Sequence, residues 1–212
     1  MAARNKYRTL SISRREAATD GYKRHLGGGE DAWERRGAFQ LALLQHLGLR
    51  PDSRLADYGC GPIRAGRHLI RYLQPDCYRG YDFNADFIAI ARETVERELD
   101  LLGKRPDLIH SHAFLDIAPP ADFILFFSVL NHCSPEERRQ ALRFARTTEP
   151  GTRICISHAS WLFALDPRHL GGLEVRRVDM GTLPPALDPA RWGWREHERA
   201  KVLPVAVLAA AG

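Results

Sequence analysis

Hydrophobic positions along the chain follow two alternating repeats from residue 53 onward. Short apolar runs at 53–58, 77–82, 107–112, 122–129, 153–157, 173–178 and 202–209 predict strands. Between several of them, stretches at 64–73, 84–102 and 134–147 carry a helical repeat. The second of these puts Phe87, Ile88, Ala91, Val95 and Leu99 on one face. Asp122-Phe123-Ile124-Leu125-Phe126-Phe127-Ser128-Val129 is almost continuously apolar, as a central strand covered on both sides must be. Ser134-Pro135-Glu136-Glu137 joins an N-cap serine, a proline at the first helical position and a glutamate at the third, so a helix starts there. Alternation of this kind predicts a parallel sheet with helices on both faces.

Residues 1–50 read instead as a helical N-terminal cap. Ser13-Arg14-Arg15-Glu16 is a capping-box pattern, predicting a helix to about His25 that stops at Gly27-Gly28-Gly29. Trp33, Ala38, Leu41, Leu44 and Leu47 space a second, amphipathic helix, closed by Gly48. Residues 51–212 then form the α/β core of a single domain without internal repeats. Residues 161–200 are rich in proline and glycine and read as irregular. Pro204 is awkward inside the last predicted strand, because it cannot donate to a ladder.

The chemistry concentrates where the first strand ends. Arg54 to His68 reads as a strand, a turn containing Gly59, Gly61 and Gly66, and the start of a helix. Glycines there let a ligand lie against the backbone, and the helix would point unpaired N–H groups at it. Tyr78-Arg79-Gly80-Tyr81-Asp82 follows, a strand ending in a carboxylate about 20 residues past the glycines, where an acid can hold ribose hydroxyls.

Composition narrows the picture modestly. The chain has 212 residues and a net charge of +5. Residues 1–50 hold ten Lys/Arg against five Asp/Glu, and so carry the whole excess. This is either an electrostatic footprint for nucleic acid or a solvated helical surface; with no RNA-binding motif present, nucleic acid is the less favoured partner. No long apolar run predicts a membrane span, and the N-terminus lacks the apolar core of a signal peptide. Cys60, Cys77, Cys133 and Cys155 form no C-x-x-C pair, which suits reduced thiols and a cytoplasmic protein. No complete metal-ligand set is visible, although His110, His112 and Asp116 lie close together.

Asp57-Tyr58-Gly59-Cys60-Gly61 with the later Asp82 resembles the class I S-adenosylmethionine-dependent methyltransferases. A nicotinamide site would want glycine or alanine where Arg64 stands. His25 to Gly29, Trp33, Gly37, Gln40, Leu69 to Leu73 and Ser128-Val129-Leu130-Asn131-His132 extend the resemblance, to a bacterial small-molecule group, over roughly residues 22–147. It implies a three-layer α-β-α Rossmann-like fold, with a seven-stranded, mostly parallel sheet ordered 3-2-1-4-5-7-6. It also implies S-adenosyl-L-methionine as cofactor.

The implied cofactor-binding residues are Asp57 for the amino group, Gly59, Cys60 and Gly61 in the turn, Asp82 and Phe83 at the ribose end, and Ser128. Arg64 could pair with the cofactor carboxylate or be a surface or inter-helix residue. Trp33 could cover the cofactor or be core. The adenine-contacting role is open between His112 and Asp116. Substrates of open α/β sheets sit past the carboxyl ends of the strands. That places His132 as a candidate general base or a structural histidine, His158 as a second catalytic candidate, and Asn131, Tyr22 and His25 as substrate-binding candidates. The activity implied is methyl transfer to a hydroxyl or amine of a small molecule. Alternatives are an RNA or protein methyltransferase, or a non-catalytic binding subunit of the same fold. Self-association as a homodimer is compatible with the sequence.

Overall fold

A computed structural model of the protein describes residues 7, 10–26, 30–111, 120–165, 170, 172–179, 183–192 and 205–210. Its strands are β1 (Leu55–Tyr58), β2 (Tyr78–Asp82), β3 (Asp107–His110), β4 (Phe123–Phe126), β5 (Arg153–Ile156), β6 (Leu173–Arg177) and β7 (Ala206–Ala210). They form one sheet in the order β3-β2-β1-β4-β5-β7-β6. Neighbours from β3 to β5 pair in parallel, while β7 runs antiparallel to both β5 and β6. This is the topology that the resemblance implied. In register, Asp57 of β1 faces Gly80 of β2 and Leu125 of β4.

Side chains alternate across the sheet and give each face its own helices. On one face, Leu55, Phe123 and Leu125 pack beneath α2 (Glu30–His46), α3 (Gly66–Tyr72) and α4 (Ala85–Arg97), through Phe39, Leu43, Leu69, Ile70 and Ala91. On the other, Tyr58, Ile124, Phe126 and Ile154 pack against α6 (Pro135–Ala145) and α7 (Ser160–Phe163), through Ala141, Leu142, Phe144 and Leu162. Each fully buried side chain of this size contributes roughly 1.5–3 kcal/mol. A smaller cluster of Ile12, Tyr22, Trp33, Phe87 and Ile90 seats the N-terminal segment on α4. No helix among the described residues is long and apolar enough to cross a membrane.

Both capping boxes form with both halves present, at Ser13 and at Ser134. Element ends differ from expectation where a non-glycine residue turns left-handed. The first helix stops after α1 (Arg14–Ala18), because Asp20 sits at φ 54°, and a 3₁₀ turn Gly21–Leu26 continues from it. Helix α3 starts at Gly66 because Ile63, at φ 53°, prolongs the turn before it. The helix expected over 84–102 breaks at Glu98, leaving α5 as Leu99–Leu102. That break carries Glu98 onto Arg67 and Arg71 (2.9 and 2.6 Å) and Asp100 onto Arg71 (2.6 Å). Arg67 also reaches Glu34 at 2.9 Å, so the ion pairs tie α2 and α5 to α3. The expected hinge Gly27–Gly29, together with His112, Asp116 and Pro204, lies outside the described residues.

Helix α2 rides directly on the turn that precedes α3. A Cβ at Gly37 would overlap the Arg64 carbonyl oxygen and come within 2.8 Å of the His68 ring. Gly37→Ala should therefore destabilise the protein, since overpacking costs typically 1–3 kcal/mol against a helix-propensity gain of about 1 kcal/mol. Urea unfolding checks the sign.

Candidate functional site

The turn after β1 is fastened to the end of β2. The N–H groups of Gly59 and Cys60 both donate to the Tyr81 carbonyl, at 2.7 and 3.1 Å. The Gly61 N–H donates to Asp82 Oδ2 at 2.9 Å, and Asp82 Oδ1 accepts from the Asn84 N–H at 2.8 Å. These three donors of the turn are thus spent inside the protein. A phosphate cradle needs such donors unspent. What the turn offers instead is space. Gly59, at φ 75°, has no room for a Cβ because Val129 of the β4 exit lies against it. Gly61, at φ 57°, has nothing within 4 Å of where a Cβ would stand.

That space belongs to a cleft of about 790 Å³, partly open to solvent, at the carboxyl ends of β1, β2 and β4. This is where open α/β sheets bind ligands. Asp57, Gly59, Cys60, Gly61 and Arg64 line one side, and Asp82, Phe83 and Phe87 another. Trp33, Ser128 and His132 complete the group of expected residues that the fold brings together.

Burial sets the electrostatics. Desolvation lifts the Asp57 carboxyl to about 7, although the Tyr78 hydroxyl, which donates to Oδ2 at 2.9 Å, pulls the other way. Gly66 makes room for that hydroxyl, which stands 2.7 Å from where its Cβ would be. Asp82 is also raised by desolvation, opposed by the N–H groups of Asn84 and Gly61. Burial pushes the Cys60 thiol well above its usual range, so it is no nucleophile here. Burial draws Arg64 down to about 10, which leaves it charged. Its guanidinium lies 5.5 Å over the Trp33 ring and donates to the Leu26 carbonyl at 3.2 Å, while its buried Nε has no hydrogen-bond partner. Trp33 is both core, at 2% exposure, and cleft wall.

Four expected residues stand off the cleft lining. Tyr22 is buried edge-on against Trp33 at 5.8 Å. His25 pairs with Glu16 at 2.9 Å and holds that carboxyl down to about 2. His158 meets Ser128 Oγ at 3.2 Å, and both residues are left-handed. Asn131 meets His132 Nε2 at 3.1 Å through its amide nitrogen, while its amide oxygen is buried without a partner.

Several lining residues were not anticipated as site residues. Tyr7 arrives from the stretch before the first capping box, its carbonyl and that of Leu10 held by Asn84 Nδ2 at 2.9 and 2.8 Å. Its ring meets His132 edge-on at 4.9 Å. Gln40 is a polar residue buried at 3% on the core-facing side of α2, and that misfit with an apolar face was its signal. Phe87 reads as helix core, yet it also lines the cleft.

No family model and no curated protein matches the chain. Solved structures do. Magnesium protoporphyrin IX methyltransferase from Synechocystis PCC 6803, with S-adenosylmethionine bound, is 15% identical with a TM-score of 0.64, over 98% of this chain and 95% of that one. The fold is that of the class I methyltransferases. The plantazolicin methyltransferase BpumL, in complex with a triazolic desmethylPZN analogue and S-adenosylhomocysteine, is 11% identical with a TM-score of 0.57 over 98% of this chain and 95% of that one. The methyltransferase domain of bacterial CtHen1-C is 15% identical at 0.52 over 84% and 98%.

A buried acid that keeps its proton longer in the folded state has a defined effect on stability. Folded Asp57 titrates near 7 against 3.8 for the ordinary group. Its stabilising share is complete below about pH 4 and is lost as pH rises toward 7, at up to roughly 1.4 kcal/mol per pH unit. Urea midpoints across pH 4–8 should show this slope in the wild type and a shallower one in Asp57→Asn; Asp82 supplies the slope that remains.

Proposed function

We propose that the protein is an S-adenosylmethionine-dependent methyltransferase acting on a hydroxyl or amine of a small molecule. The observation that carries this reading is the pairing of a buried acid, Asp57, with a half-buried arginine, Arg64, whose Nε is fully covered, on the walls of one cleft. An amino-acid tail carries the opposite pair of charges: its ammonium suits Asp57 and its carboxylate suits the unpartnered Arg64 Nε. Gly61 leaves the backbone side of the cleft open for that tail. Asp82 accepts the N–H groups of Gly61, Asn84 and Phe83, and a carboxylate has about four acceptor positions, leaving room for a ribose hydroxyl. Phe83 and Phe87 supply an apolar wall for a purine.

When bound, the cofactor supplies an electrophilic methyl on a sulfonium. The chain's own task is to align the acceptor and exclude water, and alignment alone supplies about 7–11 kcal/mol. His132, on the cleft wall, takes the proton from a hydroxyl acceptor, a contribution of typically 10²–10⁴-fold. Its contact with Asn131 and the edge of Tyr7 limit the ring's movement. His158 acts through Ser128, holding a hydroxyl that lines the cleft.

A small acceptor is favoured over RNA because no RNA-binding motif is present and part of the N-terminal basic charge is spent structurally. Arg36 is buried at 8%, and Lys23, at 6%, pairs with Asp20 at 3.1 Å. Exposed arginines remain on α1, and steeply salt-dependent RNA binding would favour the nucleic-acid reading instead.

Calorimetric titration with S-adenosylhomocysteine tests the proposal. Binding should release roughly half a proton near pH 7, as an ammonium draws the proton from Asp57, and should release none in Asp57→Asn. Asp82→Ala should weaken binding by roughly 10- to 100-fold, the worth of hydrogen bonds to a charged group. Absence of binding at high micromolar would overturn the reading. With an acceptor in hand, His132→Ala should slow turnover by about 10²-fold or more; a loss below about threefold leaves it structural.

A further inference from the structure

A second and larger groove, of about 1140 Å³, runs along α6 against α7, on the face of the sheet away from α2 and α3. Its floor is apolar, made by Pro135, Leu142, Trp161 and Leu165. Its rim is arginine throughout: Arg138, Arg139, Arg143 and Arg146. Among the described residues no acidic side chain lines it. Arg139, Arg143 and Arg146 recur at i, i+4 and i+7, so they form one stripe along the helix, about 6 and 4.5 Å apart in rise.

The rim keeps its positive charge. Glu136 pairs with Arg139 and with Arg143 at 3.0 Å each, one carboxylate shared by two guanidiniums. Those side chains are 62% and 56% exposed, and pairs in such surroundings contribute little and exchange readily for others. Nucleic acid fits the groove poorly. Single strands gain their affinity by stacking bases on aromatic faces. The one aromatic side chain lining this groove, Trp161, has the Arg138 guanidinium 5.1 Å over its ring. An apolar floor with a basic rim complements an amphipathic helix whose flanks are acidic.

We propose that this groove docks an acidic amphipathic helix of a protein partner. The apolar face of the helix lies on Leu142, Trp161 and Leu165, and its carboxylates meet Arg139, Arg143 and Arg146. Arg138 Nε donates to the Leu130 carbonyl at 2.8 Å, where the turn Leu130–His132 begins. His132 at the end of that turn lines the cleft, so the partner docks beside the loop that borders it. The inference rests on the groove alone and not on methyl transfer, and its test uses no activity.

Four fluorescent probes are titrated into the intact protein. They are a leucine–glutamate peptide of about 18 residues, five helical turns, with leucines at helical spacing; the same composition with leucines shuffled; a leucine–lysine counterpart; and an oligouridylate of equal length. The first should bind with salt-weakened affinity, at least about tenfold tighter than the other three, and should lose at least about tenfold in the double variant Arg139→Glu, Arg143→Glu. Nitrogen-15 spectra of the arginine Nε–H groups give a readout that needs no variant: resonances of Arg139, Arg143 and Arg146 should move with the first peptide. Equal binding of the shuffled peptide, tighter binding of the oligouridylate, unaltered affinity of a folded double variant, no binding at high micromolar or unmoved arginine resonances would each overturn the proposal.

Discussion

Three hydrogen bonds from one turn to the end of the neighbouring strand hold the site in shape. Gly59 and Cys60 share the Tyr81 carbonyl, and Gly61 takes a carboxylate oxygen of Asp82. Everything nearby depends on that clasp. It fixes where Asp57 leaves β1, and it sets the left-handed path through Gly61 and Ile63 that delays α3 until Gly66. It also allows α2 to lie against the Arg64 carbonyl, where only a glycine at position 37 fits. By using up N–H donors, the clasp turns a glycine-rich loop away from phosphate chemistry and toward a ligand that brings its own donors. The carboxyl group that completes the clasp is also the one we assign to a ribose, so in the proposed reading loop geometry and sugar recognition share one residue.

The alternation of strands and helices was legible because its cause is local. A strand covered on both faces must be apolar throughout, and Phe123–Phe126 is buried at every position. Serine caps with a glutamate at the third position have one use, and both examples formed. Boundaries were harder. Asp20, Ile63 and Ser128 adopt positive φ without being glycine, and side-chain type gives no notice of this. At Ser128 the consequence reaches the cleft, because the chain leaves β4 three residues earlier than its apolar run suggests.

Within the cleft, the turn residues were legible because the backbone there demands glycine and the strand ends supply acids. The far wall was not. Tyr7 is brought in through its carbonyl oxygen, an atom that every residue has, so the hydrogen bond from Asn84 places no demand on residue type at position 7 or 10. The pair Ser128 with His158 depends on how two loops meet in space, which spacing along the chain does not encode. Gln40 lies between these cases: a buried amide on an otherwise apolar helix face is a visible irregularity, though its purpose shows only in three dimensions.

Asn84 serves two masters. Its amide oxygen caps α4 by accepting from Asp86 and Phe87, while its amide nitrogen grips the carbonyls of the N-terminal segment, which Asp86 secures again through the Ile12 N–H. Peeling that segment away therefore exposes a helix end as well as a cavity wall. The departure of any molecule under Tyr7 thus pulls on the residue that also caps the first turn of α4, so opening of the cleft and fraying of that helix are coupled through one side chain.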